Sequence, residues 1–403
     1  MKMTTTLFSM ILAAATAFPL AAQAGGLYLY EIGTSDLGFA GAGTAARAED
    51  ASTVYANPAG MTRLAGDQFT VGGQALYGKA NYKLDGPGVL GGGDPGNSIG
   101  WLPGASAFYS HSVDDRLKLG MAVYGNFGLA EDFGNTWAGR NLVDKTALMA
   151  MTFQPTVAYR LNDQWSLGAG LTANYGFLKI ERVPLIGGGT REQSDGDWAF
   201  GGRFGVMYEP SQSTRVGMVW TSQAEFNFNV DATVSGLRPG WTYSLPVAAN
   251  VPMPQQFMGS VYQKLSDRWA MMGNVGWQQW SKFSDATTET NNINTTSSLQ
   301  LKDTWHVAYG MQYTLNEQTK LNAGVAFDTS MYQHQSQTSF AMPNGDTWRF
   351  GAGMQYALSA KDEIGVAAEY LRSQGGSDPS TLLSGSYDHV QMFFLSVNYT
   401  YRF

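Results

Sequence analysis

Between Phe393 and Phe403 the odd positions are Phe393, Leu395, Val397, Tyr399, Tyr401 and Phe403, while the even positions from Ser396 are Ser396, Asn398, Thr400 and Arg402. Side chains alternate faces along a strand, so this pattern predicts a strand with one apolar and one polar face. A transmembrane barrel with lipid outside and a polar lumen needs that division. The alternative is an amphipathic strand of a soluble sandwich. The alternation recurs. Trp165, Leu167, Ala169, Leu171, Ala173, Tyr175 and Phe177 form one outward row, and Leu117, Leu119, Met121 and Val123 another. A third outward row runs Val216, Met218, Trp220, Ala224, Phe226 and Phe228.

Short polar turns separate these rows. The stretch from Tyr159 to Trp165 has relatives at Tyr208 to Val216, Tyr262 to Trp269, Tyr313 to Leu321 and Tyr356 to Ile364. Each reads as a hairpin turn on the periplasmic side of a barrel. Counting strands on both sides of the turns predicts about fourteen, an even number as bacterial barrels show. They fall near 68–80, 101–112, 116–127, 147–160, 164–182, 196–209, 214–230, 252–264, 268–283, 299–314, 319–328, 346–358, 361–373 and 388–403. The opposite strand ends are joined by longer polar segments, Asp85 to Ser98, Pro184 to Asp195 and Thr287 to Ser298. The fold class expected is therefore all-β, a transmembrane antiparallel barrel.

Composition agrees with that class. The chain has 49 Gly, 20 Tyr and 11 Trp with only 14% charged residues, which suits a barrel with aromatic girdles. After Ala24 no run of 18 apolar residues occurs, so helical spans are not expected. Ahead of it, Lys2, the apolar run Leu7 to Leu20 and Ala22-Gln23-Ala24 read as a secretory signal peptide covering residues 1–24. The net charge of -7 is spread along the chain, with no basic block to meet nucleic acid. With no cysteine, disulfides and thiol chemistry are excluded.

Residues 25–67 are rich in Gly and Ala and too irregular for a strand, so they predict a plug, or hatch, inside a barrel of residues 68–403. The lumen they would enter is not uniformly polar. Inward positions of one strand run Thr172, Asn174 and Gly176, then Leu178, Ile180 and Arg182. In the last strand they run Arg402, Thr400, Asn398 and Ser396, then Phe394, Met392 and Val390. An apolar outer half either lines a pocket for a greasy ligand or packs against the plug and inward-folded loops. Arg182 is placed to meet a carboxylate through a charge-assisted pair. Lys302 and His306 share parity with Thr304 and Gln312 and are expected to face inward, as ligand contacts or as ordinary lumen polarity.

Enzyme chemistry finds little support. Gly41-Ala42-Gly43-Thr44-Ala45-Ala46 fits a G-x-G-x-x-A pattern but lacks a preceding buried strand and a βαβ unit. His111, His306, His334 and His389 show no metal-ligand spacing. Ser396 and His389 lie near one strand, but nothing sets a base beside a nucleophile. No cofactor and no metal are expected.

Gly25 to Glu31, Gly38 to Gly43, Asp50-Ala51 and Asn57-Pro58-Ala59-Gly60-Met61 together resemble the FadL/TodX (OmpP1) family of outer-membrane transporters of long-chain fatty acids and hydrophobic compounds. Asn126 to Ala130, Tyr159 to Asp163, Lys179 to Arg182 and Leu301 to Asp303 follow in order. The resemblance implies a fourteen-stranded barrel with an N-terminal hatch and lateral release of ligand. Asn57, Pro58 and Ala59 match the hatch motif, and Leu27 falls where an apolar residue reaches the binding pocket. Asn126, Phe127 and Gly128 match an inward kink of the third strand that forms the lateral gate. Arg182 matches a basic residue of the pocket. Two departures stand out. A second basic residue would align near Ser297, so that charge is missing unless Lys302 or His306 replaces it, and Val183 to Asp195 is short where the fatty-acid transporters carry a long loop.

The expected function is passive uptake of hydrophobic molecules, with long-chain fatty acids as the leading ligand and uncharged alkanes or aromatic hydrocarbons as the alternative. A general porin, or an adhesin or phage receptor, is the competing class. Expected partners are the ligand, outer-membrane lipids and lipopolysaccharide, and the barrel assembly machinery, engaged through the C-terminal strand ending at Phe403. A monomer in the Gram-negative outer membrane is expected.

Overall fold

The computed structural model describes residues 28–403 apart from 87–90, 185–188, 236–241, 291–292, 297–298 and 381–382; side chains at 231–245, 285, 288, 290 and 293–296 are also outside it. The proposed signal peptide, Leu27 and Ser297 therefore lie outside the described residues.

Fourteen antiparallel strands close into a barrel. In wall order they are β1 (Gln68–Leu84), β2 (Gly100–Ser112), β3 (Leu117–Asp132), β4 (Lys145–Arg160), β5 (Trp165–Arg182), β6 (Arg191–Ser211), β7 (Thr214–Thr221), β10 (Gln256–Lys264), β11 (Trp269–Gln278), β14 (Thr304–Thr314), β15 (Thr319–Asp328), β16 (Thr347–Ala357), β17 (Asp362–Gln374) and β19 (Gly385–Arg402). The first and last pair from Gln68↔Arg402 to Leu84↔Gly385, which closes the wall. A two-residue strand β18 (Ser377–Asp378) adds to the loop end of β19.

Alternation decides which face meets lipid. Leu171 is 71% exposed and Phe200 70%, whereas Thr172 and Asn174 between and beside them are buried. Ring pairs gather at the turn ends, Trp165 on Tyr208 and Trp269 on Tyr313, with Trp348 and Trp305 near the loop ends. Two aromatic belts at the membrane interfaces are the expected result for a barrel in lipid.

Three strands depart from the sequence expectation. The strand expected over 214–230 breaks at Ser222–Gln223, where β7 ends and β8 (Ala224–Ser235) begins. Met218 and Trp220 face lipid as expected, but Phe226 and Phe228 are fully buried. Phe226 lies against Gly176, an inward position of β5, so β8 has turned toward the barrel interior. With its partner β9 (Thr242–Met253), and with β12 (Thr287–Thr290) and β13 (Ile293–Thr296), it forms a separate four-stranded sheet. No ladder joins β8 to β6; instead the carboxylates of Asp197 and Asp195 accept from the backbone N–H of Asn227 and Asn229, at 2.7 and 2.6 Å. The strand expected over 299–314 starts only at Thr304, and the one over 268–283 ends at Gln278 before a 3-10 turn, Trp280–Asp285. Segments 287–290, 293–296 and 191–195, expected as loop, carry strand instead.

The N-terminal segment from Tyr28 to Leu64 lies inside this wall and is almost wholly buried. It carries two short helices, α1 (Thr34–Gly38) and α2 (Thr53–Ala56), and a 3-10 helix, Pro58–Arg63. Small inward residues let its backbone reach the wall. A Cβ on Gly168 would stand 2.4 Å from Ala59 N, and one on Gly324 would stand 1.9 Å from Phe39 O. Polar side chains of the wall then satisfy the segment's own groups. Ser260 accepts from Ala45 N at 3.1 Å, Asn274 accepts from Gly43 N at 3.2 Å, and Gln154 donates to Val54 O at 2.8 Å.

Asn57 is the centre of this docking. Its side-chain nitrogen donates to Ala45 O at 2.7 Å and to Val206 O on β6 at 3.0 Å, while its oxygen accepts from Ala59 N at 3.1 Å and caps the 3-10 helix. Pro58 follows at the first helical position, where its missing N–H costs nothing. Asn57→Ala should weaken docking by about 1–3 kcal/mol, because it leaves buried carbonyls without a donor. Hydrogen exchange of residues 45–60 should rise while the barrel keeps its resistance to SDS at room temperature; unchanged exchange would show that the motif does not hold the segment.

Candidate ligand-binding site

Above the N-terminal segment the lumen holds a cavity of about 40 Å³. Tyr28, Leu29 and Tyr30 form one side; Val390, Met392 and Phe394 of β19, with Leu371 of β17 and Met331, form the apolar other side. Ligand pockets for drug-sized molecules run to roughly 300–1,000 Å³. The cavity in this conformation therefore falls well below that range, with Tyr28 to Tyr30 forming the side that is not barrel wall.

The polar floor is an ion cluster. Arg349 on β16 bonds through Nε to Asp328 at 2.5 Å and through Nη1 to Glu369 at 3.3 Å and to Glu31 of the N-terminal segment. Asp328 also takes His306 Nδ1 at 2.6 Å, and Tyr30 stacks on the His306 ring at 4.2 Å. Three carboxylates around one guanidinium leave no free positive charge there. Desolvation consumes much of the attraction in such buried pairs. Their clear consequence is positional: Glu31 joins the N-terminal segment to β15, β16 and β17.

The wall itself is interrupted beside Tyr28. The β2–β3 ladder runs from Ser112↔Lys118 only to Ser106↔Tyr124, so Gly100–Ala105 has no β3 partner. There β3 bulges: its pairing with β4 skips Asn126 between Gly125 and Phe127. Gly128 sits at φ +149°, a conformation that side chains disfavour. A bulge bends a strand and ends pairing on one side. The N-terminal segment covers the break from within. Leu29 N donates to Asn126 O at 3.0 Å, the Asn126 amide donates to the Tyr28 hydroxyl at 2.8 Å, and the Tyr28 and Phe127 rings meet edge-on at 6.3 Å.

Of the residues singled out in the sequence, Met392 and Phe394 line the cavity and His306 lies beneath it, buried on Asp328. Leu178 and Ile180 are buried in the same apolar cluster but do not line the cavity. Arg182 is half-buried near the loop end of β5, donating to Gln193 at 2.9 Å. Lys302 does not face inward. It precedes β14 as an exposed residue whose backbone N–H bonds to Met331 O, and strand parity fails there because the ladder with β11 ends at Thr304. Glu31, Asp328, Arg349 and Glu369 were not anticipated. Parity could have found Arg349, which stands between the lipid-facing Trp348 and Phe350.

A family model described as Outer membrane protein transport protein (OMPP1/FadL/TodX) matches residues 15–403. The chain is 26% identical to the long-chain fatty acid transport protein of Escherichia coli (strain K12) over 401 residues, covering 88% of this chain and 89% of that one. Among solved structures, a Pseudomonas aeruginosa FadL homologue superposes with a TM-score of 0.80 at 18% identity, over 94% of this chain and 100% of that one. The Pseudomonas putida toluene transporter TodX superposes with a TM-score of 0.67 at 14% identity, over 88% and 94%. The structural likenesses speak to the fold, and the family match to kinship. The chain belongs to the OMPP1/FadL/TodX family of outer membrane proteins, β-barrel transporters of hydrophobic compounds and not an enzyme family.

Proposed function

We propose that this protein takes up hydrophobic molecules passively and releases them sideways into the membrane, with long-chain fatty acids as the leading ligand. The observation that carries this reading is the coincidence of three features at one place. The wall loses its β2–β3 ladder, β3 bulges at Asn126, and Tyr28 and Leu29 cover the break while also walling the closed cavity. Ligand entering the apolar side near Met392 and Phe394 displaces the N-terminal segment and so opens the cavity and the gap together. Sideways exit keeps the tail out of a polar channel, where its hydration would cost about 25 cal/mol per Å² of apolar surface. In this reading residues 1–24 are the export signal, residues 25–67 the hatch and residues 68–403 the barrel, working as a monomer among outer-membrane lipids and lipopolysaccharide after assembly through the Phe403 strand. In the same reading Leu27 contributes an apolar side chain to the ligand pocket, and Asn57, Pro58 and Ala59 anchor the hatch.

A second ligand class has a specific observation behind it. Arg349, the cation of the cavity, is already neutralised by three carboxylates, which favours uncharged alkanes or aromatic hydrocarbons at that point of the route.

Deleting Asn126 tests the lateral route. It removes the unpaired residue and leaves the β3–β4 register unchanged, so the bulge can close. A bulky residue at Gly128 is a poorer test, since a Cβ there would stand 2.5 Å from Leu148 O. Cells carrying the deletion variant should take up labelled oleate and hexadecane no faster than cells lacking the protein, with the barrel correctly assembled. Wild-type rates in that variant would sink the lateral route. In planar bilayers the wild-type protein should pass little ion current, because Tyr28 to Leu64 lie across the lumen; a sustained open current would favour a general porin.

A further inference from the structure

Arg203, on the inward face of β6, is 5% exposed. Its guanidinium lies 4.3 Å over the Tyr55 ring, with the phenols of Tyr28 and Tyr124 near enough to act on its charge. Among the described residues no carboxylate pairs with it, and its Nε has no hydrogen-bond partner. Arg47 and Arg349, buried as deeply, each hold a carboxylate, whereas Arg215, over the Tyr262 ring and away from the break, shares the unpaired state of Arg203. The tyrosines do not neutralise Arg203 either: burial raises the Tyr28 and Tyr55 phenols above their ordinary range, so both stay protonated. A buried cation without a counter-charge is costly and is normally paired.

The position of this charge gives it a use. The Tyr28 hydroxyl accepts from the Asn126 amide at 2.8 Å and has Arg203 and Gln256 close by, so Arg203 stands one side chain behind the break in the wall. The Gln256 amide nitrogen lies near that hydroxyl but makes no hydrogen bond, to it or to any other described group. When Tyr28 withdraws, the volume it leaves is faced by a guanidinium and two amides. Two of these three groups have donor capacity to spare. Planar guanidinium donors match a carboxylate bidentately. Beside it the β2–β3 ladder is missing, which is where an alkyl tail would pass once the segment moves.

We infer that Arg203 receives the carboxylate of an anionic amphiphile at the inner mouth of the lateral gap, with the Tyr28 hydroxyl as a neutral placeholder for that carboxylate in the closed state. The inference rests on the uptake reading above and narrows its ligand to molecules with an anionic head. Arg349 then holds the hatch shut through Glu31, while Arg203 recognises the head group. Neither Arg182 nor Lys302 is needed for this step.

The test compares oleate with methyl oleate, which shares the tail and lacks the charge. Binding to the full-length protein in nanodiscs is measured alongside uptake by cells, and assembly is checked by heat-modifiable migration in SDS. Arg203→Gln should weaken oleate binding about tenfold or more, the usual scale for a lost charge-assisted pair. Methyl oleate binding should be unchanged, and Arg203→Lys should recover part of the oleate loss. Tyr28→Phe, which removes the placeholder hydroxyl and keeps the ring, should raise oleate affinity. Equal losses for both ligands in assembled Arg203→Gln would make Arg203 structural and overturn the inference, as would unchanged oleate binding. If Arg203→Gln fails to assemble, unchanged oleate affinity in Tyr28→Phe and in Arg203→Lys overturns it. Uptake of methyl oleate but not oleate by the wild type would overturn the role of Arg203 and leave the transport reading standing. Uptake of neither would remove both.

Discussion

Lipid offers no hydrogen-bond partner to a backbone N–H or C=O, so a barrel wall must pair its strands along their whole membrane depth. Nearly all the wall strands here do so, and the pairing of β1 with β19 completes the circuit. Pairing lapses in two places, where β6 runs on past Arg203 without a β7 partner and where β2 and β3 part above Ser106 and Tyr124; the second is the feature on which the rest depends. The freed carbonyl of Asn126 is met by Leu29 N, from a segment that is not part of the wall. The segment and the break therefore stabilise each other, and moving one exposes the other.

The second constraint is charge. Buried cations inside the barrel are placed unequally. Arg349 is met by three acids, one of them from the N-terminal segment, while Arg203 lies over the Tyr55 ring with no carboxylate among the described residues. The first arrangement joins segment to wall, and the second leaves a positive field beside the break. In the proposed route these are different tasks, retention of the hatch and recognition of the ligand's head.

Much of the fold is legible in the sequence because a barrel in lipid imposes a strict period of two. Phe393, Leu395 and Val397 face out and Ser396 and Thr400 face in, as the alternation requires. The same rule misplaced Phe226, Phe228 and Lys302. In each case the chain had left the sheet, at Ser222 or before Thr304, and parity has no meaning once the ladder ends. Site residues divide in the same way. The inward placement of Met392 and Phe394 was legible because their strand is regular, whereas Glu31 lies in a segment without any period.

The sequence by itself determined the barrel, its strand count, the lipid-facing rows of its regular wall strands and the family, because each follows from local alternation or from short motifs in order. Only the tertiary structure decided that Glu31 meets Arg349 across a separation of 318 positions, that Tyr28 closes the β3 bulge, and that Arg203 pairs with no carboxylate among the described residues. Those facts depend on how an aperiodic segment folds back into the lumen. Contacts of that kind are chosen by packing and by the pairing of buried polar groups, which leave no regular spacing along the chain.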